Sequence, residues 1–288
     1  MGINIRTIKD IRLYLSEELE GCYPEPEINA LANIILKSVS KSSKLHTLAY
    51  PEIRVLQKHI RKISGICREL KRGKPIQYIL GETSFLNLVI RVNEETLIPR
   101  PETEELADFI IRENKGFRGT ILDIGTGSGC IAIALAVNLP GTVVSGCDIS
   151  EGALLKAKEN ARLNNATVTF FISDILNPDV RLFPKTDIIV SNPPYIRESE
   201  KQFMARNVLD FEPHNALFVS DSEPLVFYSA IIKLAEIILS PGGMLYCEIN
   251  EAMGKLMFRL FDSSGYSGIE LIKDINGKDR IIKGIKND

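Results

Sequence analysis

Residues 121–137 read Ile-Leu-Asp-Ile-Gly-Thr-Gly-Ser-Gly-Cys-Ile-Ala-Ile-Ala-Leu-Ala-Val. A short apolar strand runs into glycines at alternate positions, and an apolar helix follows at once. Ligands approach such a strand at its carboxyl end, where the helix amino terminus also points. The same alternation continues outward from this stretch. Hydrophobic periodicity predicts strands over 120–124, 142–147, 167–172 and 186–191, with helices reaching about 138 and spanning 150–163. It then predicts a helix near 224–239, a strand over 244–249, a helix over 251–263 and two final strands turning at Asn276-Gly277. Strands that alternate with helices build a parallel sheet covered on both faces, and the closing hairpin is expected to supply an antiparallel edge. The fold class is α/β, doubly wound.

The amino-terminal part is patterned differently. Ile8, Ile11, Leu15 and Leu19 recur at helical steps, Ile28, Leu31 and Ile35 follow a helix start at Pro26, and Ile53, Leu56, Ile60 and Ile63 repeat the pattern behind Pro51. This predicts a small all-α domain over 1–74, ended by Arg72-Gly73-Lys74-Pro75. Residues 75–103 are expected to be a linker carrying a β-hairpin over 84–92, which leaves 104–288 for the α/β domain. The net charge is −2, but residues 1–80 hold 14 Lys and Arg against 8 Asp and Glu, and the remainder holds 21 against 29. A basic small domain could contact nucleic acid or an acidic protein, although scattered charges on solvated helix faces are the commoner cause of such a surplus, and an acidic α/β domain argues against a surface that reads DNA. Five widely spaced cysteines without a C-x-x-C pair fit a reducing cytoplasm. The three histidines have no metal-ligand spacing, so no metal site is expected. No run approaches the roughly 20 apolar residues of a membrane span.

Three nucleotide readings compete for the loop Gly125, Thr126, Gly127, Ser128 and Gly129. A dehydrogenase would carry G-x-G-x-x-G, but here the third glycine comes one residue early and Cys130 takes its place. A phosphate-binding loop would need Gly-Lys-Ser/Thr, which is absent. A G-x-G-x-G loop without clustered basic residues suits a nucleoside lacking a pyrophosphate, and S-adenosylmethionine is the favoured ligand. About twenty residues on, Asp148 ends the second strand where a carboxylate can take both ribose hydroxyls. Asp174 or the adjacent Ile175 ends the third strand where an adenine would lie. The fourth strand ends in Asn192-Pro193-Pro194-Tyr195. This is either an ordinary Pro-Pro corner or a grip for a planar NH2 group: Asn192 offers a neutral acceptor, the prolines bring carbonyls without competing N–H groups, and Tyr195 offers a flat ring. In a doubly wound sheet both turns face one crevice, which places Asn192 beside the methyl of the ligand and favours an amide or aromatic amine as substrate.

A linked set of segments carries a resemblance over nearly the whole chain: Gly81-Glu-Thr-Ser-Phe85, Ile98-Pro-Arg-Pro-Glu-Thr-Glu104, Leu122 to Cys130, Asn192-Pro-Pro-Tyr195, Glu212-Pro-His-Asn-Ala-Leu217 and Asp274-Ile-Asn-Gly-Lys-Asp-Arg280. Together they resemble the HemK-type protein-(glutamine-N5) methyltransferases. The resemblance implies a seven-stranded Rossmann-like methyltransferase sheet behind a helical substrate-recognition domain. It also implies S-adenosylmethionine as methyl donor, and as substrate the glutamine of the Gly-Gly-Gln motif in class I peptide chain release factors. On that reading Asn192, Pro193 and Tyr195 are catalytic, Asn192 to Tyr195 bind the substrate, and Gly125 to Gly129, Asp148, Asp174, Ile175 and Asn192 bind the cofactor. The chain is expected to be a cytoplasmic monomer that binds neither nucleic acid nor membrane. Asn-Pro-Pro-Tyr also occurs in methyltransferases acting on nucleobase amines and in a relative acting on a ribosomal-protein glutamine, and Pro-Arg-Pro-Glu-Thr-Glu narrows that choice. Two departures stand out: Ser173 where members often have Gly, and Glu248-Ile249-Asn250-Glu251 without the Gly and Gln often seen there.

Overall fold

A computed structural model describes residues 5–40 and 52–287. They divide into two compact units, one running to Gly81 and joined by Arg206–Phe211, the other comprising Glu82–Ala205 and the chain from Glu212 onward. In the first unit, Thr7 caps helix α1 (Ile8–Leu19) through a reciprocal capping box with Asp10, which satisfies two end N–H groups at once. α2 (Glu25–Ser40), α3 (Gln57–Lys71) and α4 (Ile76–Leu80) follow. Ile8, Ile11, Leu15, Leu19, Ile28, Leu31, Ile35 and Ile63 all enter one core, as their spacing requires. Pro51 lies outside the described residues. The helix expected behind it begins only at Gln57, so Ile53 and Leu56 precede it and remain exposed.

The second unit opens with a two-residue hairpin, β1 (Glu82–Phe85) and β2 (Leu88–Arg91), whose turn residues Leu86 and Asn87 both have positive φ. That geometry matches the twist of the flanking strands. Next come α5 (Pro101–Glu113), β3 (Thr120–Ile124), α6 (Cys130–Asn138), β4 (Val143–Asp148), α7 (Glu151–Leu163), β5 (Val168–Ile172) and β6 (Thr186–Ser191). The short strands β7 (Ile196–Arg197) and β8 (Phe218–Val219) come on either side, in sequence, of α8 (Arg206–Phe211), which belongs to the first unit, and α9 (Val226–Ile238), β9 (Leu239–Glu248), α10 (Gly254–Ser263), β10 (Tyr266–Lys273) and β11 (Asp279–Lys286) follow. Seven strands form one sheet in the order β10-β11-β9-β6-β3-β4-β5. β3 is buried along both faces from Ile121 to Ile124, and α6 is buried almost all round, as expected of a central strand and the helix that covers it. The closing hairpin supplies the antiparallel edge, as expected: β10 pairs antiparallel with β11 and β11 antiparallel with β9, so the reversed strand sits one place in from the edge.

Register places the site. Ile124 pairs with Cys147 and with Ser191, so the next residues, Gly125, Asp148 and Asn192, lie side by side at the carboxyl edge of the sheet. β2 is fastened to α7 by two asparagines one turn apart. Asn160 accepts from the Arg91 backbone N–H at 2.8 Å and donates to the Arg91 carbonyl at 2.9 Å, and Asn164 does the same at Val89, at 3.3 and 2.8 Å. The Asn160 amide also donates to the Ser128 carbonyl at 2.8 Å, which ties the hairpin to the glycine loop.

Candidate active site

The glycine loop is held from below. Asp123 is fully buried, and its Oδ2 accepts the Thr126 hydroxyl at 2.6 Å and the Ala132 N–H at 3.3 Å. The N–H groups of Gly125 and Thr126 both reach the Cys147 carbonyl at 2.9 Å. Gly125, Gly127 and Gly129 all have positive φ, which L side chains rarely adopt. Nothing lies within 4 Å of where a Cβ would stand on Gly125 or Gly127, but on Gly129 it would meet Ala157 and Ile133 at about 3 Å. The first two glycines therefore leave room for a ligand, and the third lets α6 and α7 pack closely.

Above this floor lies a cavity of about 280 Å³. Gly125, Gly127, Asp148, Ser173, Asp174, Ile175, Asn192, Pro193 and Pro194 line it, together with Glu95, Leu97, Pro213, Asn215, Ala216 and Phe227. Asp148 accepts from Gly127 N at 2.8 Å and Ser150 N at 2.9 Å, and burial holds its carboxyl above the usual carboxylate range. Asp174 caps its own turn through Leu176 N at 2.9 Å. The charged residues of the wall are acidic: no Lys or Arg is among the described residues that line it.

At the far end of the cavity, Asn192 is anchored through a chain of side chains. Its Nδ2 donates to Thr103 Oγ1 at 2.9 Å, Thr103 donates to Glu248 Oε2 at 2.7 Å, and the Tyr195 hydroxyl donates to Glu248 Oε1 at 2.9 Å. Glu248 is 1% exposed, and burial raises its carboxyl pKa against the hydrogen bonds from Thr103 and Tyr195. The Tyr195 ring packs on the main core cluster and is not part of the cavity wall. The surrounding loops are joined by a half-buried ion pair, in which the buried Glu212 accepts from Arg100 Nη2 at 2.5 Å and from Ile98 N at 3.2 Å. This brings Glu95 and Leu97 to the same cavity as Pro213, Asn215 and Ala216.

Of the residues expected from sequence, Gly125, Gly127, Asp148, Asp174, Ile175 and Asn192 to Pro194 meet at the cavity. Thr126, Ser128, Gly129 and Tyr195 stand behind it. Thr126 is turned down to Asp123, and Ser128 is buried with its carbonyl taken by Asn160.

The family described as methyltransferase small domain matches residues 105–218. The release factor glutamine methyltransferase of Flavobacterium psychrophilum is 45% identical over 280 residues, spanning 96% of this chain and 98% of that one. Its namesake in Bacteroides thetaiotaomicron is 44% identical over 272 residues, spanning 94% and 98%. The chain belongs to the release factor glutamine methyltransferase family. Among solved structures, a methyltransferase from Pyrococcus furiosus superposes with a TM-score of 0.53 at 17% identity, over 81% of this chain and 100% of that one, a likeness of fold.

Within this family member, Glu95, Leu97, Asn215, Phe227, Thr103 and Glu248 escaped the sequence reading of the site. A signal existed for some of them. Thr103 and Asn215 lie inside motifs that carry the family resemblance, and Glu248 is an acidic residue closing an apolar strand. Phe227 sits in an apolar helical stretch and carries no such mark.

Proposed function

We propose that this chain transfers a methyl group from S-adenosylmethionine to the side-chain amide nitrogen of the glutamine in the Gly-Gly-Gln motif of class I peptide chain release factors. The observation that carries the reading is the cavity between Gly125, Gly127 and Asp148 at one end and the neutral acceptor Asn192 at the other. Membership of the family supports the same substrate.

The residues present fit the donor. The open space over Gly125 and Gly127 admits a ligand against bare backbone, and the acidic wall of Glu95, Asp148 and Asp174 suits a cationic nucleoside and disfavours a pyrophosphate. Asp148 would hold the ribose hydroxyls, and Asp174 with Ile175 the adenine. The bound donor supplies an electrophilic methyl on a positively charged sulfur.

An amide nitrogen is a weak nucleophile because its lone pair is delocalised into the carbonyl. Asn192 Oδ1 and the Pro193 carbonyl would accept its two N–H bonds, holding the nitrogen in line and favouring localisation of the pair. As the nitrogen gains positive charge those acceptors strengthen, a contribution of about 2–4 kcal/mol for one well-aimed group. The charged nitrogen becomes acidic and loses its proton to a neighbouring carbonyl or water, so no strong base is needed. Tyr195 acts from behind, pinning the turn to Glu248. The helical unit serves recognition of the release factor. The proposed location is the cytoplasm, and no helix among the described residues is long and apolar enough to cross a membrane.

The test is incubation with S-adenosylmethionine and a folded release factor, followed by peptide mass spectrometry for one methyl on the Gly-Gly-Gln glutamine, with a Gln→Ala factor as control. Asn192→Ala is expected to abolish turnover while cofactor affinity stays within about tenfold, or 1.4 kcal/mol; a fully active variant sinks the assignment. Asp148→Ala is expected to weaken cofactor binding instead.

A further inference from the structure

Hydrogen bonds in the chain behind Asn192 have a direction, and that direction starts at Glu248. An ionised carboxylate only accepts, so Thr103 must spend its single hydroxyl hydrogen on Glu248 Oε2, at 2.7 Å. The Thr103 oxygen can then only accept, and it takes Asn192 Nδ2 at 2.9 Å. The second carboxylate oxygen is filled by the Tyr195 hydroxyl. A primary amide has its NH2 on one side only, so the Asn192 oxygen is turned the other way. It receives no hydrogen bond from a described residue, and Asn192 lines the cavity.

We infer that Glu248 and Thr103 are positioning residues: they set which end of the Asn192 amide faces the cavity, so that its oxygen and not its NH2 meets the substrate nitrogen. The inference rests on the glutamine-methylation reading. It also accounts for residues that reading leaves without a task, since Thr103 comes from the Pro-Arg-Pro-Glu-Thr-Glu segment and Glu248 from the end of β9. A reversed amide would present hydrogens to an NH2 group that needs acceptors.

The charged and titratable neighbours of Glu248 come from every side. Tyr195 follows β6, Glu102 lies in the first turn of α5, and Arg280 on β11 is held by Asp274 at 3.3 Å and by the Ile249 carbonyl at 3.4 Å. Tyr228 on α9 donates to the Glu248 backbone carbonyl at 2.9 Å. Burial and Glu102 raise the Glu248 carboxyl, while Thr103, Tyr195 and Arg280 lower it. Protonated Glu248 can itself donate to Thr103. The Thr103 hydrogen is then free to turn toward Asn192, and the fixed direction is lost.

The experiment is steady-state methylation of a folded release factor by wild type, Thr103→Val, Thr103→Ser and Glu248→Gln, each at saturating S-adenosylmethionine and across pH. Thr103→Val is expected to lower kcat about 10- to 100-fold, the range that applies when a group orienting a metal ligand is removed. KM for the release factor and the affinity for S-adenosylmethionine should stay within about threefold, below 1 kcal/mol. Thr103→Ser, which keeps the hydroxyl, should restore most of the rate. Wild-type kcat should fall on acidification, and the weak residual rate of Glu248→Gln should lack that limb. Thermal melts check folding, and if Glu248→Gln does not fold the Thr103 pair decides. An active wild type with an equally active Thr103→Val overturns this inference alone. A wild type that methylates no release factor overturns the function reading and the inference with it.

Discussion

Asp123 is the last residue but one of the strand from which the fold is read, and its carboxyl is fully buried beneath the site. Its Oδ2 organises the loop, but its Oδ1 is buried with no hydrogen-bond partner among the described residues. Burial lifts the carboxyl from 3.8 to about 7, against the hydrogen bonds from Thr126 and Ala132. The folded protein therefore binds this proton more tightly than the unfolded chain. Between about pH 4 and pH 7 each rise in pH removes stability, and above pH 7 the whole cost is present. Asp123→Asn keeps an acceptor without the charge, so its melting temperature relative to wild type should climb as pH goes from about 5 to 8. A difference that does not change with pH would show that the buried carboxyl does not titrate in this range. At this scale the sequence reading was partly sufficient. The glycines announce the loop, but loop residues can face either side: Thr126 and Ser128 were read as part of the wall, and they turn away from it to satisfy buried polar groups.

The two asparagines of α7 form a ladder for a strand that otherwise has a free edge. Residues four apart on a helix rise about 6.0 Å, and residues two apart on a strand rise about 6.8 Å, close enough for Asn160 and Asn164 to serve Arg91 and Val89 in turn. Asn160→Ala would strand three backbone groups, those of Arg91 and the Ser128 carbonyl, and is expected to cost about 2–4 kcal/mol. Asn164→Ala, at a half-buried position with weaker geometry, should cost about 1 kcal/mol. Denaturant midpoints of both variants check the order, and equal midpoints would reject it. Helix 150–163 and the hairpin over 84–92 were each legible from local periodicity, but their partnership was not, because side-chain ladders have no period to read. The final hairpin shows the same limit. Asn276-Gly277 marks its turn, but which strand docks on β9 depends on burial of Ile281, Ile282 and Gly284 around Lys283, whose charge disguises a central strand. Lys283 is tolerated there because Glu113 and Glu270 pair with it.

Across the whole molecule the charge is divided between the two units, and the basic surplus has a visible place. Lys58, Arg61 and Lys62 are exposed on α3 at helical spacing, and none makes an ion pair with a described residue. If the helical unit recognises an acidic release factor, reversing all three to Glu should raise KM for the factor about tenfold or more, lessen its salt dependence and leave kcat at saturation near wild type. An unchanged KM would remove this face from recognition. Deleting the unit is a poorer test, because Arg206–Phe211 returns to it and would lose its packing. The peptide bond after Asn192 has a consequence for the lifetime of the molecule. Asparagine side chains hydrolyse with age when the next backbone N–H attacks the amide carbon and closes a ring. Pro193 has no N–H, so the amide whose direction the site depends on is sheltered from that reaction. Asn276 is exposed and followed by Gly277, but that N–H is held by the Asp274 carbonyl at 2.9 Å. Ageing by this route leaves Asn192 neutral.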